Sequence, residues 1–172
     1  MNDASDLQIA GHDRTRAGLP VSGCDELWME EALREAQRAA ALGEVPVGAV
    51  VVCGGRVISR ECNRPLTDSD PTAHAEILAL RAAGRALGNY RLNDCELFVT
   101  VEPCAMCAGA ITHARIQRLV FGAADTKAGA VMSALQVLNH PQLNHRVEVT
   151  SGVLAGRAME LVQAFFRERR TK

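Results

Sequence analysis

Cys95-Glu-Leu-Phe-Val-Thr-Val-Glu-Pro-Cys-Ala-Met-Cys107 holds a strand, a stop and a helix start in immediate succession. Residues 95–100 read as a strand by their β-branched and aromatic content. Glu102-Pro103 ends it, because proline has no N–H to give to a ladder. From 104 to about 113 the chain is alanine-rich and reads as a short helix, and Ile116 to Phe121 is the next strand candidate.

The pattern continues upstream. Val47-Gly-Ala-Val-Val-Val52 and Arg56-Val-Ile-Ser-Arg-Glu61 flank Cys53-Gly54-Gly55, which predicts a hairpin whose turn uses the positive φ of glycine. Before it, Met29, Leu33, Ala36 and Ala40 mark one helix face that Gly43 ends. After it, 63–71 is a polar loop. Pro71-Thr-Ala-His-Ala-Glu-Ile-Leu-Ala-Leu80 then opens a helix with Ile77, Leu80, Gly84 and Leu87 on one stripe. Downstream, 122–129 is a small-residue loop, 131–138 a short helix, and Val147 and Val149 alternate in a short strand. Ala155, Ala158, Met159, Val162, Phe165 and Phe166 line a last amphipathic helix. Strands alternating with helices after a hairpin give one α/β domain with a mixed sheet and helices on its faces. The domain spans 25–172, and 1–24, mixed polar with no period, is expected to be a mobile extension.

Two short clusters carry the chemistry. Cys104 and Cys107, three apart at a helix start, present both sulfurs on one side of the first turn, where the helix dipole favours thiolates. Such a pair serves as half of a zinc site, as a redox dithiol, or as two structural thiols. His74 and Glu76 sit two apart at the other helix start. Side chains at that spacing point to different flanks of a helix, so they share a site only beyond its N-terminal end. His74 with Cys104 and Cys107 makes three ligands and leaves a fourth tetrahedral position open, the mark of a catalytic rather than a structural zinc. His113, nearly two turns beyond Cys107, is awkward as a fourth ligand.

His74-Ala75-Glu76 followed by Pro103-Cys104-Ala-Met-Cys107 resembles the zinc-dependent nucleoside and nucleobase deaminases. Asn63-Arg64-Pro65, the run 70–76, the run 100–110 and Asn144-His-Arg-Val-Glu-Val149 resemble the bacterial tRNA-specific adenosine deaminases in particular, over about 27 to 170. That resemblance implies a three-layer α/β/α cytidine-deaminase-like fold with about five strands. It also implies one Zn²⁺ per subunit on His74, Cys104 and Cys107, and a water activated by the metal toward a pKa of about 7 to attack adenine C6. Glu76, not a ligand, would shuttle the proton to the ring nitrogen and then to the leaving ammonia. Asn63 would contact the purine, although an Asx-turn before Pro65 is its plain alternative. Asp125, in the loop 122–127, would hold a ribose 2′-OH, with a solvated loop acid as its alternative. The expected substrate is adenosine at the wobble position of a tRNA anticodon, the product inosine, and the working form a homodimer.

Composition bounds these readings. The chain has 172 residues, 48% hydrophobic and 23% charged, with a net charge of −1, so RNA contact needs a local basic patch. Phe165-Phe-Arg-Glu-Arg-Arg-Thr-Lys172 supplies one at the C-terminus, where cations also complement a helix dipole. No apolar run is long enough to span a membrane, and the charged first residues do not read as a secretory signal, so a soluble cytoplasmic protein is expected. Deamination of a free base or nucleoside of the guanine or cytosine type uses the same catalytic kit and stays open. So do a zinc-stabilised binding module and a redox protein.

Overall fold

The computed structural model of the chain describes residues 21–170. Helix α1 (Val21–Ala41) runs through the last residues assigned to the extension, and 1–20 lie outside the described residues. The hairpin forms as expected. β1 (Gly48–Cys53) and β2 (Arg56–Cys62) are antiparallel, joined by Gly54 and Gly55 at φ of +56° and +74°. A single helical turn, α2 (Pro65–Asp68), interrupts the predicted polar loop. Then come α3 (Ala75–Leu87), β3 (Cys95–Val101), α4 (Ala105–Ala114) and β4 (Arg118–Ala123). The chain closes with β5 (Glu148–Ser151) and α5 (Ala155–Arg170).

The sheet order is β2-β1-β3-β4-β5. β1 pairs antiparallel with both β2 and β3, while β3–β4 and β4–β5 are parallel, the first crossing over through α4 and the second through the irregular stretch 124–147. Alternation along the strands divides the core. Ala49, Val51, Leu97, Val99, Leu119 and Phe121 face α3 and α4. Val50, Val52, Phe98 and Val120 face Met29 and Ala32 of α1, and Ala158 of α5 packs with Leu33 of α1 and Ala123. The three central strands are therefore covered on both sides, which is why β1 is buried almost throughout, while β2 and β5 at the edges are partly exposed.

Three expectations are corrected. The helix expected from Pro71 begins at Ala75, because 70–74 is spent on a turn in which Ala73 N–H donates to Asp70 C=O. Ile77 and Leu80 are buried as expected, but the face on the sheet is Ala75, Ala79 and Ala83 with Leu80, and Leu87 is exposed. Residues 131–138 form turns with one 3₁₀ turn, Val137–Asn139, rather than a helix. On α5 only Ala158 and Phe165 are buried, and Met159 and Phe166 reach solvent.

Candidate active site

Two helices begin at the site. His74 is the N-cap of α3 and Cys104 the N-cap of α4, both in extended backbone, and neither side chain makes a capping hydrogen bond. The side chains are thus free to turn past the helix ends. His74 Nδ1 lies 3.7 Å from Cys104 Sγ and 3.6 Å from Cys107 Sγ, and the sulfurs are 3.7 Å apart. Among the described residues this is the group of three or more potential ligands close enough to share one ion. His113 is exposed on α4 and outside it.

The triangle fits a tetrahedral zinc. Bonds of about 2.3 Å to sulfur and about 2.0 Å to nitrogen at tetrahedral angles require edges of about 3.8 and 3.5 Å. The charge fits too. Hydrogen bonds with Cys107 and His74 hold the Cys104 thiol far below its usual range, at about 3, whereas the bond with Cys104 and burial push Cys107 up. His74 is pushed up by its bond with Cys104. Two sulfurs this close keep a proton between them unless a cation neutralises both, which is what a divalent metal does.

Glu76 stands in the first turn of α3, 3% exposed. Burial pushes its carboxyl above the usual range, against the opposing pull of His74. The two-residue offset from His74 is reconciled by the cap. His74 is not helical, at ψ of 149°, so the 100°-per-residue rotation does not separate the pair.

Asn63 follows β2 and is buried. Its Oδ1 accepts the Ala75 N–H at 2.8 Å, a bond across the chain to the start of α3 rather than an Asx-turn before Pro65. Among the described residues its amide nitrogen has no hydrogen-bond partner. Asp125 lies past β4, half-buried. Its Oδ1 accepts from the Lys127 and Ala128 N–H groups at 2.9 and 3.1 Å, so one oxygen shapes the loop itself.

Glu102 is the residue that sequence reasoning passed over, as part of a strand stop. It accepts N–H groups from 125, 131, 132 and 133. No local pattern signals bonds that span up to 31 residues. At the C-terminus Arg169 stacks on Phe165 at 4.2 Å and donates to Gly43 C=O. A groove there is lined by Lys127, Val162, Gln163, Phe166, Arg169 and Arg170. Among the described residues no helix is long and apolar enough to cross a membrane.

The pattern of the MafB19-like deaminase family matches residues 24–170. The chain is 52% identical over 147 residues to the tRNA-specific adenosine deaminase of Haemophilus influenzae, covering 85% of each. It is similar to a solved structure from a study of A-to-I editing by tRNA:A34 deaminases at the wobble position of transfer RNA. The TM-score there is 0.77 at 48% identity, over 78% of this chain and 98% of that one. Guanine deaminase from Nitrosomonas europaea is more distant, at 26% identity and TM-score 0.71 over 90% and 98% of the two chains.

Proposed function

This chain belongs to the tRNA-specific adenosine deaminases, within the MafB19-like deaminase family, and from that membership we propose that it hydrolyses adenosine to inosine at the wobble position of a tRNA anticodon. The observation that carries the chemistry is the His74–Cys104–Cys107 triangle with the buried Glu76 two residues from His74 in the first turn of α3. The chain matches tRNA-specific relatives at 52% and 48% identity over most of its length, against 26% for the Nitrosomonas europaea guanine deaminase, which supports adenosine in tRNA as the substrate.

His74, Cys104 and Cys107 would hold zinc, which supplies Lewis acidity and a water of lowered pKa. Glu76 is the proton carrier. Burial favours its protonated form, so it can give a proton to the purine ring nitrogen and the leaving amine as well as take one from water. Asn63 is held by the Ala75 N–H with its oxygen engaged, so the amide N–H₂ is the end offered to the purine edge. The second oxygen of Asp125 is the one available to a ribose 2′-OH. Lys127, Arg169 and Arg170 frame a basic groove suited to phosphates of the anticodon arm. The protein works in the cytoplasm, where tRNA is, and as a homodimer, which sedimentation of the purified chain addresses.

The deciding assay incubates the protein with an anticodon stem-loop carrying adenosine at the wobble position, and separately with guanine and cytidine. Inosine and ammonia are measured. Inosine is expected from the RNA, and Glu76→Gln should lower turnover by roughly 10²- to 10⁴-fold with zinc retained. Turnover of a free base with the RNA untouched overturns the reading.

A further inference from the structure

Glu102 adjoins both the metal ligands and the loop after β4, and the chemistry above gives it nothing to do. It is 3% exposed, and Oε1 accepts the N–H groups of Val131, Met132 and Ser133 at 3.2, 2.7 and 2.9 Å. Oε2 accepts the Asp125 N–H at 3.1 Å and the Ser133 hydroxyl. Both arms of the loop thus converge on one carboxylate, in the manner of a backbone anion nest. Burial raises the carboxyl's pKa, but the hydrogen bonds outweigh it and hold the group below its usual range.

The next two residues fasten the same loop. Ala130 N–H donates to Pro103 C=O at 2.8 Å, and Cys104, a metal ligand, forms a β-bridge with Gly129. Gly129 lies flush on the carboxylate. A Cβ there would come within 2.5 Å of Glu102 Cδ and Oε2 and of Asp125 O, so no side chain fits unless the loop moves. Residues 102, 103 and 104 therefore tie the ligand Cys104 to the segment 125–133, which carries Asp125 and Lys127.

A fold anchor alone accounts poorly for this. Apolar contacts hold a loop without the desolvation that a buried carboxylate costs. Directional bonds from four N–H groups fix its position instead. The loop runs from Ala130 and Val131, buried in the core, out to the exposed Met132, so apolar packing fixes only one part of it.

We propose that Glu102 is a positioning residue that sets the place of the substrate-contacting loop 125–133 relative to the His74–Cys104–Cys107 triangle. The proposal rests on the reading of this chain as a tRNA deaminase. A loop placed by Glu102 contributes to binding of the nucleotide in ground and transition states alike, so its displacement raises KM and leaves kcat nearly intact.

The test uses the zinc-loaded full chain with Glu102→Gln, which turns an amide N–H₂ toward N–H donors, and Gly129→Ala, which displaces the loop from its other side. Steady-state kinetics on the anticodon stem-loop should show KM raised roughly tenfold to a hundredfold in both, with a far smaller change in kcat. Zinc should remain at wild-type stoichiometry, and amides 131–133 should exchange hydrogen faster. Unchanged KM with protected amides overturns the proposal, and so does joint loss of zinc and fold in both variants. If the wild type leaves the RNA unedited, the functional reading fails by itself. Amide exchange and zinc content then still decide the placement of the loop.

Discussion

Asn63 and Ala75 are joined by a 2.8 Å bond in which a side-chain oxygen takes the first N–H of α3. One carboxamide thereby faces two ways, its oxygen fixing the helix that begins after the His74 cap and its nitrogen without a hydrogen-bond partner among the described residues. Asn63→Asp keeps the acceptor and removes the donor. Its melting temperature should stay near wild type while kcat/KM on the anticodon stem-loop falls at least tenfold, a loss of about 1.4 kcal/mol or more. Asn63→Ala should lose the activity and, in addition, about 1 kcal/mol of stability in urea unfolding.

The two sulfurs of the triangle differ in setting. Cys107 is fully buried in the first turn of α4, and Cys104 is half-buried at its cap. Serine at either position should abolish stoichiometric zinc, measured by elemental analysis. Cys107→Ser should unfold at the lower temperature of the two, since it leaves a hydroxyl in a site built for sulfur. For the wild type, free zinc at about 1,000 times its Kd should add about 4 kcal/mol, which a chelator removes.

Arg118 joins α1 to three strands, and none of its partners is a proposed site residue. It reaches Asp25 at 2.7 and 2.8 Å, Glu96 at 3.0 Å and Thr150 at 2.9 Å, with only 12% of its side chain exposed. Arg118→Ala leaves the buried Asp25 without its cation and should cost about 3–5 kcal/mol in chemical unfolding. Activity per folded, zinc-loaded molecule should not change. A drop in that ratio would mean that the network reaches the site.

The basic groove at the end of α5 should announce itself through salt. Reversing Arg170 to Glu should weaken tRNA binding and lower the slope of log K against log salt by about 1. Binding to a short anticodon stem-loop, measured over a salt series, checks this. An unchanged slope would take Arg170 off the RNA path.

The Cys104–Cys107 pair, the hairpin and the parallel β3–α4–β4 unit were legible because each rests on neighbours in sequence: two cysteines three apart, a Gly-Gly turn, an alanine-rich run. What stayed hidden depends on distant partners. Residues 131–138 have helical composition, yet three successive N–H groups go to the Glu102 carboxylate. The chain then closes turns onto Gly129 and Ala130 carbonyls instead of propagating a helix. The start of α3 was placed early for a similar reason. Pro71 and Thr72 are good helix-entry residues, but Asp70 captures the Thr72 N–H at 2.7 Å and makes a turn first. The core stripe of α3 also shifted, because a face of alanines carries little hydropathy signal although it lets the helix lie close to the sheet.

The two helix caps carry a consequence for anyone breeding a hardier version of this protein. Serine, threonine, aspartate or asparagine at a cap is typically worth about 1 kcal/mol over a residue that makes no capping bond. His74 and Cys104 both occupy caps and make none. A library screened only for survival of heat in the presence of a chelator would therefore enrich His74→Asp and Cys104→Ser. Its winners would be sturdier proteins with no chemistry left. Heat tolerance and turnover compete at these two positions, so any such selection has to score product and not merely folded protein.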